Sequence, residues 1–272
     1  MNTNTESPVS LALKSLDEGV ETLIRSEGWE AYLKAQAKFH NYSFNNTIWL
    51  TIQGSQRAVD VSRFAGFQTW KSLGRQVVAG AKSFKVLAPI SYKKEVKNAD
   101  GSTETKNGCG GFRVVSVFDI SQTDGEPLAE VCQNLEGESS LANETFTKLA
   151  AWSAARGVTV TREHASGANG YYIRSEARIV VDDKLEGTQA LKTLAHEVAH
   201  SLLHSTDEGD TRETKEVEAE STAFVVLSAL GIDASGYSFG YIASWSRGSK
   251  VTVKAVAGRV QKAAHQILEA LA

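Results

Sequence analysis

The run His196-Glu197-Val198-Ala199-His200 places two imidazoles four positions apart with a carboxylate beside the first. On a helix, residues four apart share a face one turn apart, so both rings can aim a nitrogen at a single cation. Glu197, rotated by one position, can reach a water on that cation. This is the logic of zinc-dependent peptidases. Two neutral imidazoles hold the ion, the ion brings the pKa of its bound water down towards about 7, and the glutamate takes the proton. His196 and His200 are therefore read as metal ligands and Glu197 as the catalytic base. One divalent ion is expected, Zn²⁺ first, with Mn²⁺ or Ni²⁺ as alternatives for a donor set of two His and one Glu.

Such a site needs a third protein ligand. His204 lies eight residues beyond His196, about 12 Å along the same helix, too far to share an ion with both other histidines. It is read as a capping residue or one that supports a ligand from behind. After the turn Asp207-Glu208-Gly209-Asp210, a second helix begins near Arg212 and carries Glu216, Glu218 and Glu220. Glu216 and Glu220 form an i,i+4 pair beside Ala219 and Ala223, small enough to let the two helices approach closely. Glu216 is assigned as third ligand and Glu220 as the acceptor that orients a histidine ring nitrogen. Glu218 is expected to point away.

Around these helices the pattern alternates. A helix over about 144–156 precedes strands at Val158–Glu163, Gly170–Arg174 and Arg178–Val181. The metal helix follows over Thr188–His204, and the chain closes on an amphipathic helix from Val251 to Leu271. The segment 121–143 is acidic and turn-rich and holds Pro127, one of three prolines. It reads as a linker.

The whole chain has 272 residues and a formal net charge of -3. Near-neutrality conceals two opposed blocks: residues 31–115 hold 13 cations and 4 acids, whereas 116–272 hold 14 and 22. A basic block of this size suits a polyanion. No apolar run of about 18 residues offers to span a membrane, and the polar, acidic start lacks a secretory signal, so a cytoplasmic protein is expected. Cys109 and Cys132 form no CxxC pair, which excludes a zinc ribbon.

The basic block is also rich in aromatic and amide side chains. In the run from Phe39 to Gln53, helical spacing puts Tyr42, Asn45, Asn46, Trp49 and Gln53 on one face. A second short helix through Trp70 and Lys71 stops at Gly74, and Arg75, Lys82 and Lys85 surround the turn that follows. A strand over Phe84–Leu87 comes next, and then a hairpin of Ser91–Val96 and Gly111–Val117 about the turn at 98–101. Rings stack on unpaired bases, amides read base edges and cations hold phosphates, so these ten residues are the candidate single-stranded-DNA contacts.

The segments YSFNNTIWLTIQ, GFQTWKSLGRQVVAGAKSFKVLAP and FRVVSVFDISQT, in this order, resemble the N-terminal single-stranded-DNA-binding domain of the ArdC family of antirestriction proteins. One step departs from that family, where Lys-Gly-Glu-Lys stands and this chain has Ala79-Gly80-Ala81-Lys82. HEVAHSLLH followed by EVEAESTAFVV resembles the metallopeptidase-like domains of ImmA/IrrE and ArdC proteins, in which the first Glu of the second motif is a ligand, here Glu216. The run SFGYIASWSRG resembles the C-terminal end of the same domains. By analogy, Arg178–Val181 supplies an edge for an extended peptide, and Tyr171 or Tyr172 is in range of a developing oxyanion.

The implied protein is an α+β chain of two domains. Residues 1–125 form a small ArdC-like single-stranded-DNA-binding domain, 126–143 a linker and 144–272 a zincin-like domain. The resemblance implies an antirestriction protein of a plasmid, phage or other mobile element, with single-stranded DNA as partner and a protein or peptide as further substrate. Two alternatives stay open: an ImmA-like regulatory metalloprotease that cleaves a DNA-bound repressor, and a DNA-binding protein whose metal is purely structural.

Overall fold

A computed structural model describes residues 7–25, 28–97, 103–126, 138–204, 211–232 and 249–272. The turns expected at 98–101 and 207–210, the middle of the linker with Pro127 and Cys132, and SFGYIASWSRG lie outside these residues. The chain divides into two compact units, residues 1–19 with 48–128 and residues 20–47 with 129–272. The architecture is mixed helix and strand, as the sequence leads one to expect. Among the described residues, no helix is long and apolar enough to cross a membrane.

The first unit is built on a long hairpin. Strands β1 (Phe64–Ala65), β3 (Phe84–Lys97) and β4 (Thr103–Asp119) form an antiparallel sheet in the order β1-β4-β3, and β2 (Arg75–Val77) pairs with β5 (Thr123–Gly125). The sequence suggested a break after Leu87. The structure instead continues β3 through Pro89, with an irregularity in register between Pro89 and Ser91. Because β3 is an edge strand, proline's missing N–H costs no ladder bond there. The core is Val61, Phe64, Trp70, Phe84, Val86 and Val117, with Trp70 on α4 (Phe67–Ser72) wholly enclosed. Asp119 is buried at the end of β4, where it accepts the backbone N–H groups of Ser62, Arg63 and Ser121 at 2.8–3.1 Å and so ties the segment before β1 to the turn after β4.

The second unit is a helical layer on a three-stranded sheet. Strands β6 (Thr159–Glu163), β8 (Arg178–Asp182) and β7 (Gly170–Ile173) run in the order β6-β8-β7, with β6–β8 parallel and β7–β8 antiparallel. Ile179, Val180 and Val181 are completely buried. This corrects one expectation: β8 is central and paired on both sides, so among the described residues the edge strands are β6 and β7. Helices α5 (Glu138–Ala155), α6 (Gly187–Leu203), α7 (Arg212–Ala229) and α8 (Lys250–Leu271) pack together, and α2 (Gly28–Lys38) joins them through Trp29, whose indole N–H donates to Ser221 Oγ at 2.9 Å. Gly170 is a close-approach point: a Cβ there would lie 2.6 Å from Thr193 Cγ2. A bare backbone at that position lets β7 lie directly against α6.

Candidate metal centre and nucleic-acid surface

Helix α6 buries Leu191, Leu194, Ala195, Val198 and Ala199, a stripe at three- and four-residue spacing. That stripe fixes the rotation of the helix and turns His196 and His200 to its flank. On α7, Ala219 and Ala223 are fully buried, and their small side chains allow close helix packing. Thr211 caps the start of α7 by accepting the Thr214 N–H. Opposite the two histidines, α7 presents Glu216.

The donor atoms converge. His196 Nε2 and His200 Nε2 are 3.0 Å apart, and Glu216 Oε2 lies 3.4 Å from the first and 3.7 Å from the second. Four-coordinate zinc with bonds of about 2.0–2.1 Å separates neighbouring donors by about 3.3 Å. Three donors spaced at that distance, with one side left open, fit a divalent ion. His196 Nδ1 is 3.0 Å from Glu220 Oε2, and His200 Nδ1 is 2.8 Å from His204 Nδ1, so both rings are held by Nδ1 and turn Nε2 inward. His204 caps α6 and is nearly enclosed; it does not join the donor cluster.

The electrostatics agree with a cation-binding arrangement. Burial alone would lower the His196 pKa, but hydrogen bonds to Glu216 and Glu220 outweigh it and raise it to about 9. The His196 imidazole, with that of His200 beside it, holds the Glu216 carboxyl well below the usual carboxylate range. Glu197 goes the other way: burial raises it against the pull of the two imidazoles. Its carboxylate accepts the Tyr172 backbone N–H. A cavity of about 280 Å³ opens here, lined by Tyr172, Arg174, Glu197, His200, His204 and Lys215. Tyr172 is half-buried beside it, whereas Tyr171 is exposed on the strand. A raised carboxyl at the mouth of a cavity is suited to taking a proton.

Sequence reasoning missed Glu218 and its partner Arg259. Glu218, expected to point away, is wholly buried, and its carboxylate meets His204 Nε2 at 2.9 Å and Arg259 Nε at 2.6 Å. The signal was there in part. A charged residue two positions from both Glu216 and Glu220 sits about 200° round the helix from them, on the face that carries the apolar residues.

Asn45, Asn46, Trp49 and Gln53 lie on one helix, α3 (Phe44–Gln56), although the division into units falls within it. Of the proposed DNA contacts, Tyr42, Asn45 and Asn46 belong to residues 20–47, grouped with the second unit; the rest belong to the first. Several are corrected by burial. Trp70 is fully enclosed and its indole N–H donates to the Phe118 carbonyl at 2.9 Å, so its ring has no face to offer a base. Asn46 is buried. Gln53 is also buried, with its amide engaged by the backbone of Lys85 and Trp49. The guanidinium of Arg75 donates to Thr123 Oγ1 and to the carbonyls of Thr123, Gly125 and Glu126, which staples β2 to β5. Lys85 Nζ rests on Ser83 and Ser116 Oγ. Asn45, Lys71 and Lys82 are exposed, and Tyr42 and Trp49 half-buried. Among the described residues, the exposed rings that the sequence did not single out include Tyr92 and Phe112 on the hairpin and Phe67 on α4. Tyr92 lies across Gly108, where a Cβ would fall 2.6 Å from its ring, so a glycine bed supports a ring whose outer face is open.

Two family models match the chain. Residues 11–118 match the N-terminal domain of anti-restriction factor ArdC, and residues 154–241 match the IrrE N-terminal-like domain. Among curated proteins, the chain is 27% identical over 251 residues to the uncharacterized protein pXO2-81 of Bacillus anthracis, with 78% of this chain and 42% of that protein covered. The chain thus spans less than half the length of that relative. Among solved structures it is similar to the antirestriction ArdC protein from the R388 plasmid. The metal-free crystal structure gives a TM-score of 0.47 at 21% identity, covering 84% of both chains. The Mn(II)-bound form gives 0.46 at 21% identity, covering 84% of this chain and 88% of that one.

Proposed function

Given that this chain is an ArdC-like protein, which joins an ArdC-type N-terminal domain to an IrrE-type domain, we propose that it protects incoming DNA from restriction as the product of a mobile element. In this reading it acts in the cytoplasm, residues 1–125 bind single-stranded DNA, and residues 144–272 hold a divalent ion, Zn²⁺ first, in a peptidase-type site. The observation that carries the reading is the convergence of His196 Nε2, His200 Nε2 and Glu216 Oε2 beside Glu197. His196, His200 and Glu216 are the proposed ligands, Glu220 holds His196 by Nδ1, and Glu197 is the proposed general base.

A bound ion of this kind would polarise a scissile carbonyl and acidify a water. The chain's own part is to place Glu197 at the cavity as the group that would accept a proton there, with its carboxylate held by the Tyr172 N–H. An extended peptide has a strand to pair with in β7, the edge strand whose Tyr172 lines the cavity. The retention of Glu197 at a cavity favours hydrolysis over a purely structural ion. For DNA, the support is the basic block at 31–115 with Asn45, Lys71 and Lys82 exposed, to which the structure adds Tyr92 and Phe112 as open rings.

The test is direct. Full-length protein should carry about one equivalent of metal by elemental analysis, lost in His196→Ala, and should bind single-stranded oligonucleotides more tightly than duplexes of the same length, with a steep salt dependence. Equal affinity for duplex and single strand, or none for either, would overturn the DNA reading. A metal content unchanged in His196→Ala would overturn the other.

A further inference from the structure

We propose that Glu218, anchored by Arg259, acts through His204 to hold the proton of His200 on Nδ1, leaving Nε2 bare towards the donor cluster. Three helices contribute: His200 lies on α6 and His204 caps its end, Glu218 lies on α7 and Arg259 on α8. Glu218 Oε1 takes Arg259 Nε at 2.6 Å and Nη2 at 2.5 Å, while Oε2 faces His204 Nε2 at 2.9 Å. His204 Nδ1 then faces His200 Nδ1 at 2.8 Å.

The direction of this chain follows from which groups can donate. A guanidinium keeps its protons and only donates, so Glu218 Oε1 accepts from Arg259 and Oε2 is left to face His204 Nε2. A carboxylate with no exposed surface is strongly unfavourable unless paired, and Arg259 supplies the opposite charge. Because Arg259 already balances the Glu218 charge, a single ring proton on His204 suffices, and it lies on Nε2, towards the carboxylate. Its Nδ1 is then an acceptor, and the only atom able to fill the 2.8 Å gap with a proton is His200 Nδ1. His200 Nε2 is left with its lone pair 3.0 Å from His196 Nε2 and 3.7 Å from Glu216. The two proposed ligands are thus oriented by different means. His196 leans on Glu220, which is half-exposed, whereas His200 is set by a relay that ends in a carboxylate with no access to water. Glu218, His204 and Arg259 are positioning residues, and the relay makes α8 part of the site.

The consequence for metal rests on the metal-centre reading, but the proton assignment does not. Long-range ¹H–¹⁵N correlation on the metal-free full chain should show His200 protonated on Nδ1. In His204→Phe, which removes the acceptor and keeps the bulk, His200 should shift towards the Nε2–H form, and His204→Gln, whose carbonyl can accept, should restore part of the original state. Zn²⁺ affinity by chelator competition should fall about 10- to 100-fold in His204→Phe and less in His204→Gln. Glu218→Gln should perturb both readouts, and the two His204 variants decide the matter if that protein does not fold. Wild-type His200 protonated on Nε2 would overturn the proposal. So would a folded His204→Phe that keeps both the wild-type tautomer and its affinity within twofold. A wild type that binds no Zn²⁺ but shows Nδ1–H at His200 would instead sink the metal-centre reading alone.

Discussion

The side-chain amide of Gln53 closes on the backbone of Lys85 from both sides, accepting its N–H at 2.9 Å and donating to its C=O at 2.8 Å. Lys85 is on β3, the edge strand of its sheet, so the amide of a helical residue takes the place of a missing neighbouring strand. Gln53→Ala leaves both groups without that partner in a buried setting. The expected loss is about 1–3 kcal/mol of stability, read by urea unfolding, with affinity for single strands unchanged within twofold. A tenfold loss of affinity at unchanged stability would return Gln53 to the DNA surface.

Trp70 and Tyr92 should behave as opposites. Trp70→Ala removes a fully enclosed ring and its hydrogen bond to Phe118, and should cost about 3–5 kcal/mol. Tyr92→Ala, at a ring half open to solvent, should leave the melting temperature almost unchanged. Stacking on a base is worth about 1–3 kcal/mol, so it should weaken single-strand binding by about 5- to 150-fold in fluorescence anisotropy. If Tyr92→Ala binds as the wild type does, the hairpin is not the stacking surface.

Glu197→Gln keeps the shape of the side chain and removes its basicity. Metal content and DNA affinity should stay at wild-type values, while hydrolysis of any peptide that the wild type cleaves should drop about 10²- to 10⁴-fold. Loss of metal in this variant would make Glu197 a ligand rather than a base.

In the metal-free protein, stability should follow pH with a definite sign. His196 is raised from 6.5 to about 9, so its contribution is complete below pH 6.5 and is lost as pH rises through about 9. Glu216 is lowered from 4.5, so its contribution is present above that value and is lost as pH falls. Melting temperatures in the presence of a chelator should therefore be highest between about pH 4.5 and 6.5 and decline towards pH 9. Glu216→Gln should flatten both limbs, since the two shifts share one hydrogen-bonded pair. A wild-type profile level from pH 5 to 9 would contradict the pairing.

How much was readable beforehand differs between the two units. Around His196 the spacing alone placed two imidazoles on one helix face, and an i,i+4 pair of acids beside two alanines pointed to Glu216 and Glu220 on the next helix. The basic, aromatic block was equally visible as composition. Its individual roles were not. Gln53, Trp70 and Arg75 have the side chains of a nucleic-acid surface, yet the fold engages all three internally, because each finds a backbone partner 48 residues away or, for Gln53, 32. Glu218 shows the same limit in reverse: it looked like one more acid on a solvated face.

What the sequence determined by itself is the local geometry. Helical pitch is a property of the backbone, so a four-residue step sets which side chains share a face whatever surrounds them. What only the tertiary structure decided is which of those faces meets water. That depends on the element lying over each residue: α8 over Glu218, β4 over Trp70 and β3 against Gln53. Burial forces a polar group to find a partner, and the partner then determines whether it supports a site from within or serves it from outside.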